Sequence, residues 1–200
     1  MMKLYDREGS GNAYKVRLLL ALLDVPCERI PVAIREGRND VDAAYFKLNP
    51  RGQIPTLIDG DHVLWGSTAI LVYLAARHDP ARSWLPQDAL HLGQVMQWLE
   101  LAQNEVADGL FRARMIAHMG RPGDLGAAHQ QAAVALQVLE GRLSQADWLA
   151  GTTPTVADVA CFPYVALAHQ GRIDLGPYAG VRRWVERIKA LPRFCGMDGL

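Results

Sequence analysis

Three short stretches of this chain carry the polar groups that could do chemistry. Gly9-Ser10-Gly11-Asn12 places a hydroxyl and a carboxamide between a predicted strand and a predicted helix, as a turn with Ser10 or Asn12 as N-cap. Asn49-Pro50-Arg51-Gly52-Gln53-Ile54-Pro55 leads into a second β-prone run, and Pro55, without an N–H, belongs at a strand start or edge. Ser67-Thr68 opens a further helix. Free N–H groups and the positive helix end there suit a carboxylate, while Ser67 reads equally as a plain capping hydroxyl. Metal and cysteine chemistry find no footing. Cys27, Cys161 and Cys195 are far apart, odd in number and without a CxxC pair, and the six histidines lack a ligand spacing such as HExxH. No metal is expected.

The elements that position these stretches fall into two textures. Lys3-Leu4-Tyr5 starts a strand, and Val16, Leu19, Leu20 and Leu23, widened by Leu18 and Leu22, mark a deeply buried helix that Pro26 stops. Glu28 to Ala33 reads as a second strand, demoted to an edge or bulge by Pro31. Arg35 to Asn39 is charged and loop-like, and a short helix is expected from Val41 to Leu48. Asp59-Gly60 between two β-prone runs is a hairpin signal. The order β-α-β-α-β-β-α is an α/β unit of thioredoxin size. We set it at residues 1–78, with a Pro80- and Pro86-containing linker at 79–87.

From 88 to 200 strand signals vanish. Leu92, Val95, Met96, Leu99 and Ala102 predict one long helix reaching about Met119; Ala132, Leu136, Leu139 and Leu143 predict another. Val181, Trp184, Val185, Ile188 and Leu191 predict the last, closed by Pro192. Thr155-x-x-Asp158 reads as a capping box, worth about 0.5–2 kcal/mol, and Pro163 should kink the helix it opens. Arg112, Arg114 and Met115 fit a solvated helix face as well as a pocket wall, and no role is assigned to them.

Composition closes off other classes. The 200 residues are 50% apolar and 21% charged, and Lys plus Arg equals Asp plus Glu at 21 each. A chain of this size buries about 70% of its extended surface. Zero net charge argues against nucleic acid as partner. No apolar run approaches the ~20 residues that span a bilayer. Lys3 and Asp6 sit where a signal peptide needs its apolar stretch. The expectation is a cytoplasmic protein without membrane attachment.

Asn49-Pro-x-Gly-x-Ile54-Pro55, then Leu64-Trp65-Gly66-Ser67-x-Ala69-Ile70-x-x-Tyr73-Leu74, resembles the N-terminal domain of the glutathione S-transferase family. Leu149-Ala-Gly151 with Thr155-x-Ala157-Asp158, and Tyr178-x-x-Val181-x-x-Trp184, resemble its C-terminal domain. The resemblance spans essentially the whole chain and implies a thioredoxin-like domain followed by an all-helical bundle. It further implies a homodimer with glutathione as co-substrate, bound by Gln53, Ile54, Pro55, Gly66, Ser67 and Thr68. Ile54–Pro55 would be cis, opening the Ile54 backbone to the cysteinyl backbone of glutathione as an added strand. Ser67 and Thr68 would meet the γ-glutamyl carboxylate, and Gln53 the glycyl end.

The family's thiol-activating residue falls at Ser10, as in serine-type members, and Ser-x-Asn is similar to the Thr-x-Asn of a bacterial, disulfide-reducing class. Ser10 and Asn12 are therefore the catalytic expectation. Gly11 stands where a cysteine-type class has its cysteine, and Tyr14 begins a helix instead of ending a strand, which sets both alternatives aside. Gly66 departs from the Glu or Gln of many members, so either glutathione binds more weakly or another group, such as an acid from a dimer partner, takes that role. The implied activity is conjugation of a small electrophile. Glutathione-dependent disulfide or peroxide reduction, and a non-catalytic binding protein of the same fold, are the alternatives.

Overall fold

The computed structural model of the chain describes residues 1–32 and 43–200. The expected loop at Arg35 to Asn39 and the expected helix start at Val41 lie outside the described residues. The first half contains β1 (Lys3–Asp6), α1 (Gly11–Leu22), β2 (Glu28–Pro31), α2 (Ala43–Leu48), β3 (Thr56–Asp59), β4 (His62–Trp65) and α3 (Ser67–His78). Its sheet runs β2-β1-β3-β4, with β1 parallel to β2 and both other pairs antiparallel. Leu4 pairs with Leu57 in the middle of the sheet, and both are fully buried. Pro31 falls on the edge strand, where a missing N–H breaks no ladder. This is a thioredoxin-like half.

The helix α1 follows its expected stripe, but ends short of Pro26. Leu23 is its C-cap, and Asp24 turns the chain at φ 57°. Its buried face presents Tyr14, Leu18 and Leu19 and packs against α3 and against a helix of the second half.

The second half is all helix: α4 (Ala89–Gln103), a π-helical turn (Ala107–Phe111), α5 (Arg112–Ala117), α6 (Leu125–Leu143), α7 (Val156–Ala166), a 3-10 turn (Ala168–Gly171) and α8 (Ala179–Lys189). The single helix expected to reach Met119 is broken after Gln103. Asn104 leaves helical geometry at φ −104°, ψ −92°, and the chain rewinds through the π turn. Asn104, Asp108 and Gly109 are weak helix formers. Gly109 also lies so close to α6 that a β-carbon there would sit 2.3 Å from the Ala132 nitrogen. Close packing against α6 therefore overrides the apolar period. Of that apolar period, Leu99 is buried in the bundle, whereas Met96 is exposed.

The central element is α7, whose residues Val156 to Val165 are all buried. It packs against α4, α1, α3 and α8, and it runs through Pro163 with its last turn closed by Leu167 N–H to the Pro163 carbonyl. Asp158 holds it in place. The expected capping box is present: Thr155 Oγ1 accepts from Ala157 N–H, and Asp158 accepts from Thr155 N–H at 2.9 Å. The same carboxylate also accepts from Leu149 N–H at 3.1 Å and Trp184 Nε1–H at 2.8 Å. Burial raises the Asp158 carboxyl and these donors lower it, for a net value of about 6, which leaves it mostly ionised at neutral pH.

Asp158 is thus more than a cap. Asp158→Ala orphans buried donors on three segments, so we expect a loss of about 3–5 kcal/mol instead of a single cap's worth. Urea unfolding followed by tryptophan fluorescence measures it; a loss within the range of one cap would show that the Leu149 and Trp184 bonds add nothing.

Candidate functional site

A cleft of about 360 Å³ opens where the two halves meet, lined by Asn12, Asn49, Arg51, Gln53, Ile54, Pro55, Gly66, Ser67 and Gln103. Its floor comes from the loop before β3. The Ile54–Pro55 bond is cis, as the resemblance implied. No hydrogen bond engages the Ile54 N–H or C=O among the described residues. Asn49, almost fully buried, holds this loop: its Nδ2 donates to the Gln53 carbonyl at 2.5 Å and to Thr56 Oγ1 at 3.1 Å. Tyr45 donates to the same Gln53 carbonyl at 2.7 Å.

The start of α3 forms one wall. Here the sequence expectation is corrected: the N-cap is Gly66, with no side-chain cap, and Ser67 is already inside the helix. Gly66 has φ 87° and ψ 120°, a conformation open to glycine and strained for other residues. The first backbone bond of the helix is Ile70 N–H to the Gly66 carbonyl at 3.1 Å. The N–H groups of Ser67, Thr68 and Ala69 have no backbone or side-chain acceptor among the described residues, and they sit at the positive end of the helix.

The opposite wall carries the start of α1. Ser10 is its N-cap, with Oγ accepting from Ala13 N–H at 3.3 Å. Asn12 lines the cleft; Ser10 stands just outside its lining. Thr68 is also outside, its hydroxyl taken by Gln103 Nε2–H at 2.6 Å. Of the eight residues expected from sequence, six therefore meet in one cleft. Three more belong to its lining: Asn49, Arg51 and Gln103. Asn49 belongs to the Asn-Pro-x-Gly motif, whereas Arg51 fills its unspecified position and was given no role. Gln103 comes from α4 and carried no signal, because only the docking of the two halves brings it opposite Gly66.

Alternative nucleophiles are silenced by burial, which pushes the Cys27 thiol up to about 11, Cys161 up to about 12, and Cys195 upward as well. Tyr14 is fully buried and donates its hydroxyl to the Cys195 carbonyl at 2.6 Å, and burial raises its pKa further. Beneath the start of α1, Gly11 lies against the ring of Tyr164, and Lys15 Nζ stands 4.9 Å over that ring's centroid. Burial pushes the Lys15 ammonium down to about 8, and it forms no ion pair among the described residues.

The comparisons with known proteins agree with this layout. Residues 1–76 match the glutathione S-transferase N-terminal domain, and residues 117–192 match the glutathione S-transferase C-terminal domain. A solved glutathione S-transferase from Pseudomonas fluorescens superposes with a TM-score of 0.90 at 33% identity, covering 98% of each chain. The chain belongs to the glutathione S-transferase family. Glutathione S-transferase GstB of Escherichia coli (strain K12) is 28% identical over 200 residues, 96% of this chain and 95% of the relative. Disulfide-bond oxidoreductase YfcG of the same organism is 28% identical over 192 residues, 90% and 87% of the two chains. A family whose co-substrate is glutathione gives a cleft of unpaired backbone donors an evident kind of guest.

Tyr14→Phe should separate packing from chemistry. Losing the bond to the Cys195 carbonyl should cost about 0.5–1.5 kcal/mol in urea unfolding, with the conjugation rate per folded molecule unchanged. A collapse in rate without a change in stability would return Tyr14 to the site.

Proposed function

We propose that this chain is a glutathione transferase whose cleft binds glutathione and whose α1 start activates the thiol. The supporting observation is the convergence of two unpaired backbone donors and acceptors in one cleft, the Ile54 peptide and the first turn of α3. Ile54 pairs with the cysteinyl backbone like an added strand. Ser67 and Thr68 take the γ-glutamyl carboxylate at the helix end. Gln103 stands on the side where Gly66 offers no side chain, and Gln53 with Arg51 faces the glycyl carboxylate.

This pose carries the sulfur towards Ser10 and Asn12. Accepting from Ala13 N–H uses one lone pair of the Ser10 hydroxyl and leaves its O–H free to donate. A thiol with a pKa near 8.5 is only about 3% ionised at pH 7. Lowering that value by ~2 units raises the thiolate to about three quarters, a change of ~2.7 kcal/mol. The Ser10 hydroxyl, the Asn12 amide and the α1 dipole share that work. The thiolate then attacks an electrophilic carbon, displacing its leaving group.

Disulfide or peroxide reduction is the second reading. The Asn12 side chain in the cleft favours it, as does the similarity to a relative named a disulfide-bond oxidoreductase. Activity with hydroxyethyl disulfide exceeding aryl-halide conjugation would select it. No binding to immobilised glutathione would select a non-catalytic protein of this fold.

A cytoplasmic homodimer completes the reading. No described helix is long and apolar enough to cross a membrane. Phe46 and Trp65 of the first half and Leu90 and Met96 of the second remain exposed and apolar. Sedimentation at micromolar concentration should give twice the chain mass of 22.1 kDa, and a species of single mass would refute the dimer.

For the chemistry, Ser10→Ala removes a hydrogen bond to a charged acceptor. It should raise the bound thiol's pKa by about 1–2 units and cut turnover at neutral pH roughly 10- to 100-fold. Glutathione affinity should hardly change. Thiolate absorbance near 240 nm, titrated with pH, reads this directly; a midpoint that moves in Asn12→Ala but not in Ser10→Ala reassigns the role to Asn12.

A further inference from the structure

Arg114 of α5 is a buried cation with an unusual set of partners. The residue is 3% exposed. Its Nη1–H donates to the Gly9 carbonyl at 3.0 Å, and its Nε–H donates to Gln170 Oε1 at 2.6 Å. It forms no ion pair with a carboxylate among the described residues. Tyr164 of α7 lies within electrostatic reach of it, and Lys15 of α1 stands over the ring of Tyr164. Neither neighbour compensates its charge at neutral pH.

A guanidinium buried without a counter-ion costs several kcal/mol relative to an apolar side chain of the same volume. Packing alone would therefore favour methionine or leucine at 114. What the arginine adds is directional. It reaches from the helical half to the peptide that links Gly9 to Ser10, and Gln170 fixes the other side of the fork. The Ser10 end of this turn is tied to α1 by Tyr14 N–H to the Ser10 carbonyl at 2.9 Å and Ala13 N–H to Ser10 Oγ at 3.3 Å, and Ser10 N–H reaches the Arg7 carbonyl at 3.2 Å; the Gly9 carbonyl itself is held by Arg114.

We propose that Arg114 is a positioning residue for thiol activation, fixing the peptide before Ser10 so that the Ser10 hydroxyl and the start of α1 face the sulfur. This rests on the reading that Ser10 serves glutathione. It differs from the sequence expectation, in which Arg114 had no role beyond a helix face or a pocket wall. Arg112, on the same helix, is exposed and paired with Asp108, and takes no part.

The test compares Arg114→Met, Arg114→Gln and Arg114→Lys in the intact protein. Two quantities are read: the pH midpoint of the bound thiolate band near 240 nm, and affinity for S-methylglutathione, which has no thiol. In Arg114→Met the midpoint should rise by about half to one unit, and turnover at neutral pH should fall about 3- to 10-fold. S-methylglutathione affinity should stay within about twofold, because the peptide is held elsewhere. Arg114→Lys keeps a charged donor and should recover most of the shift. Where Arg114→Met does not fold, Arg114→Gln, which is neutral and shorter, should shift the midpoint in the same direction. An unmoved midpoint in every folded variant, beside a normal thiolate in the wild type, overturns the proposal alone. A wild type that binds no glutathione, or shows no thiolate, overturns the Ser10 reading and this proposal with it.

Discussion

The buried carboxylate of Asp158 is the interaction on which the rest depends. A helix apolar on every side, as α7 is, has no natural rotation or height within a bundle, since hydrophobic contact is non-directional. Directional bonds supply what packing leaves open. Asp158 ties the first turn of α7 to Leu149 before it and to Trp184 of α8 behind it. Once α7 is fixed, Tyr164 on its far turn backs Gly11, and the start of α1 takes its place against the cleft. A residue remote from the cleft thereby sets the position of residues at its edge.

Much of this was legible in the sequence, for physical reasons that differ from element to element. The α1 stripe, the Asp59-Gly60 hairpin and the Thr155–Asp158 box are local rules satisfied locally, and each reappears in the structure. Pro55 was different: its chemistry allows either isomer, and only resemblance pointed to cis. What stayed hidden depends on contacts distant in sequence. The break at Asn104 follows from how closely Gly109 approaches α6. The shift of the N-cap from Ser67 to Gly66 follows from the backbone turn leaving β4, which no propensity of serine reveals. Gln103 and Arg114 look like ordinary helix polar residues until the halves dock. Cleft-lining residues on the α/β half were therefore readable, and the one lent by the helical half was not.

The electrostatics have the same division. The chain is neutral overall, with 21 cationic and 21 acidic side chains, yet charge is not evenly spread. Asp6, almost fully buried on β1, is matched by Arg17 and Arg29. Around the start of α1 the pattern reverses: Lys15 and Arg114 are buried without a carboxylate partner among the described residues, and the helix dipole adds to them. Burying cations near a place where negative charge is to develop is costly in the free protein and favourable in the complex, which is how preorganised sites lower a ligand's pKa.

The two halves then divide recognition from reactivity. In the proposed function, backbone groups at Ile54 and at the first turn of α3 identify a peptide with a carboxylate, whatever side chains surround them. A backbone-read site tolerates the loss of a side chain such as that missing at Gly66. Reactivity has no such tolerance, because the sulfur's ionisation depends on the orientation of one hydroxyl and on fixed charges near it. Those are held by α7 through Tyr164 and by α5 through Arg114. In the proposed function the helical half therefore does more than shape an acceptor pocket: its packing sets the geometry in which the thiol of bound glutathione becomes a nucleophile.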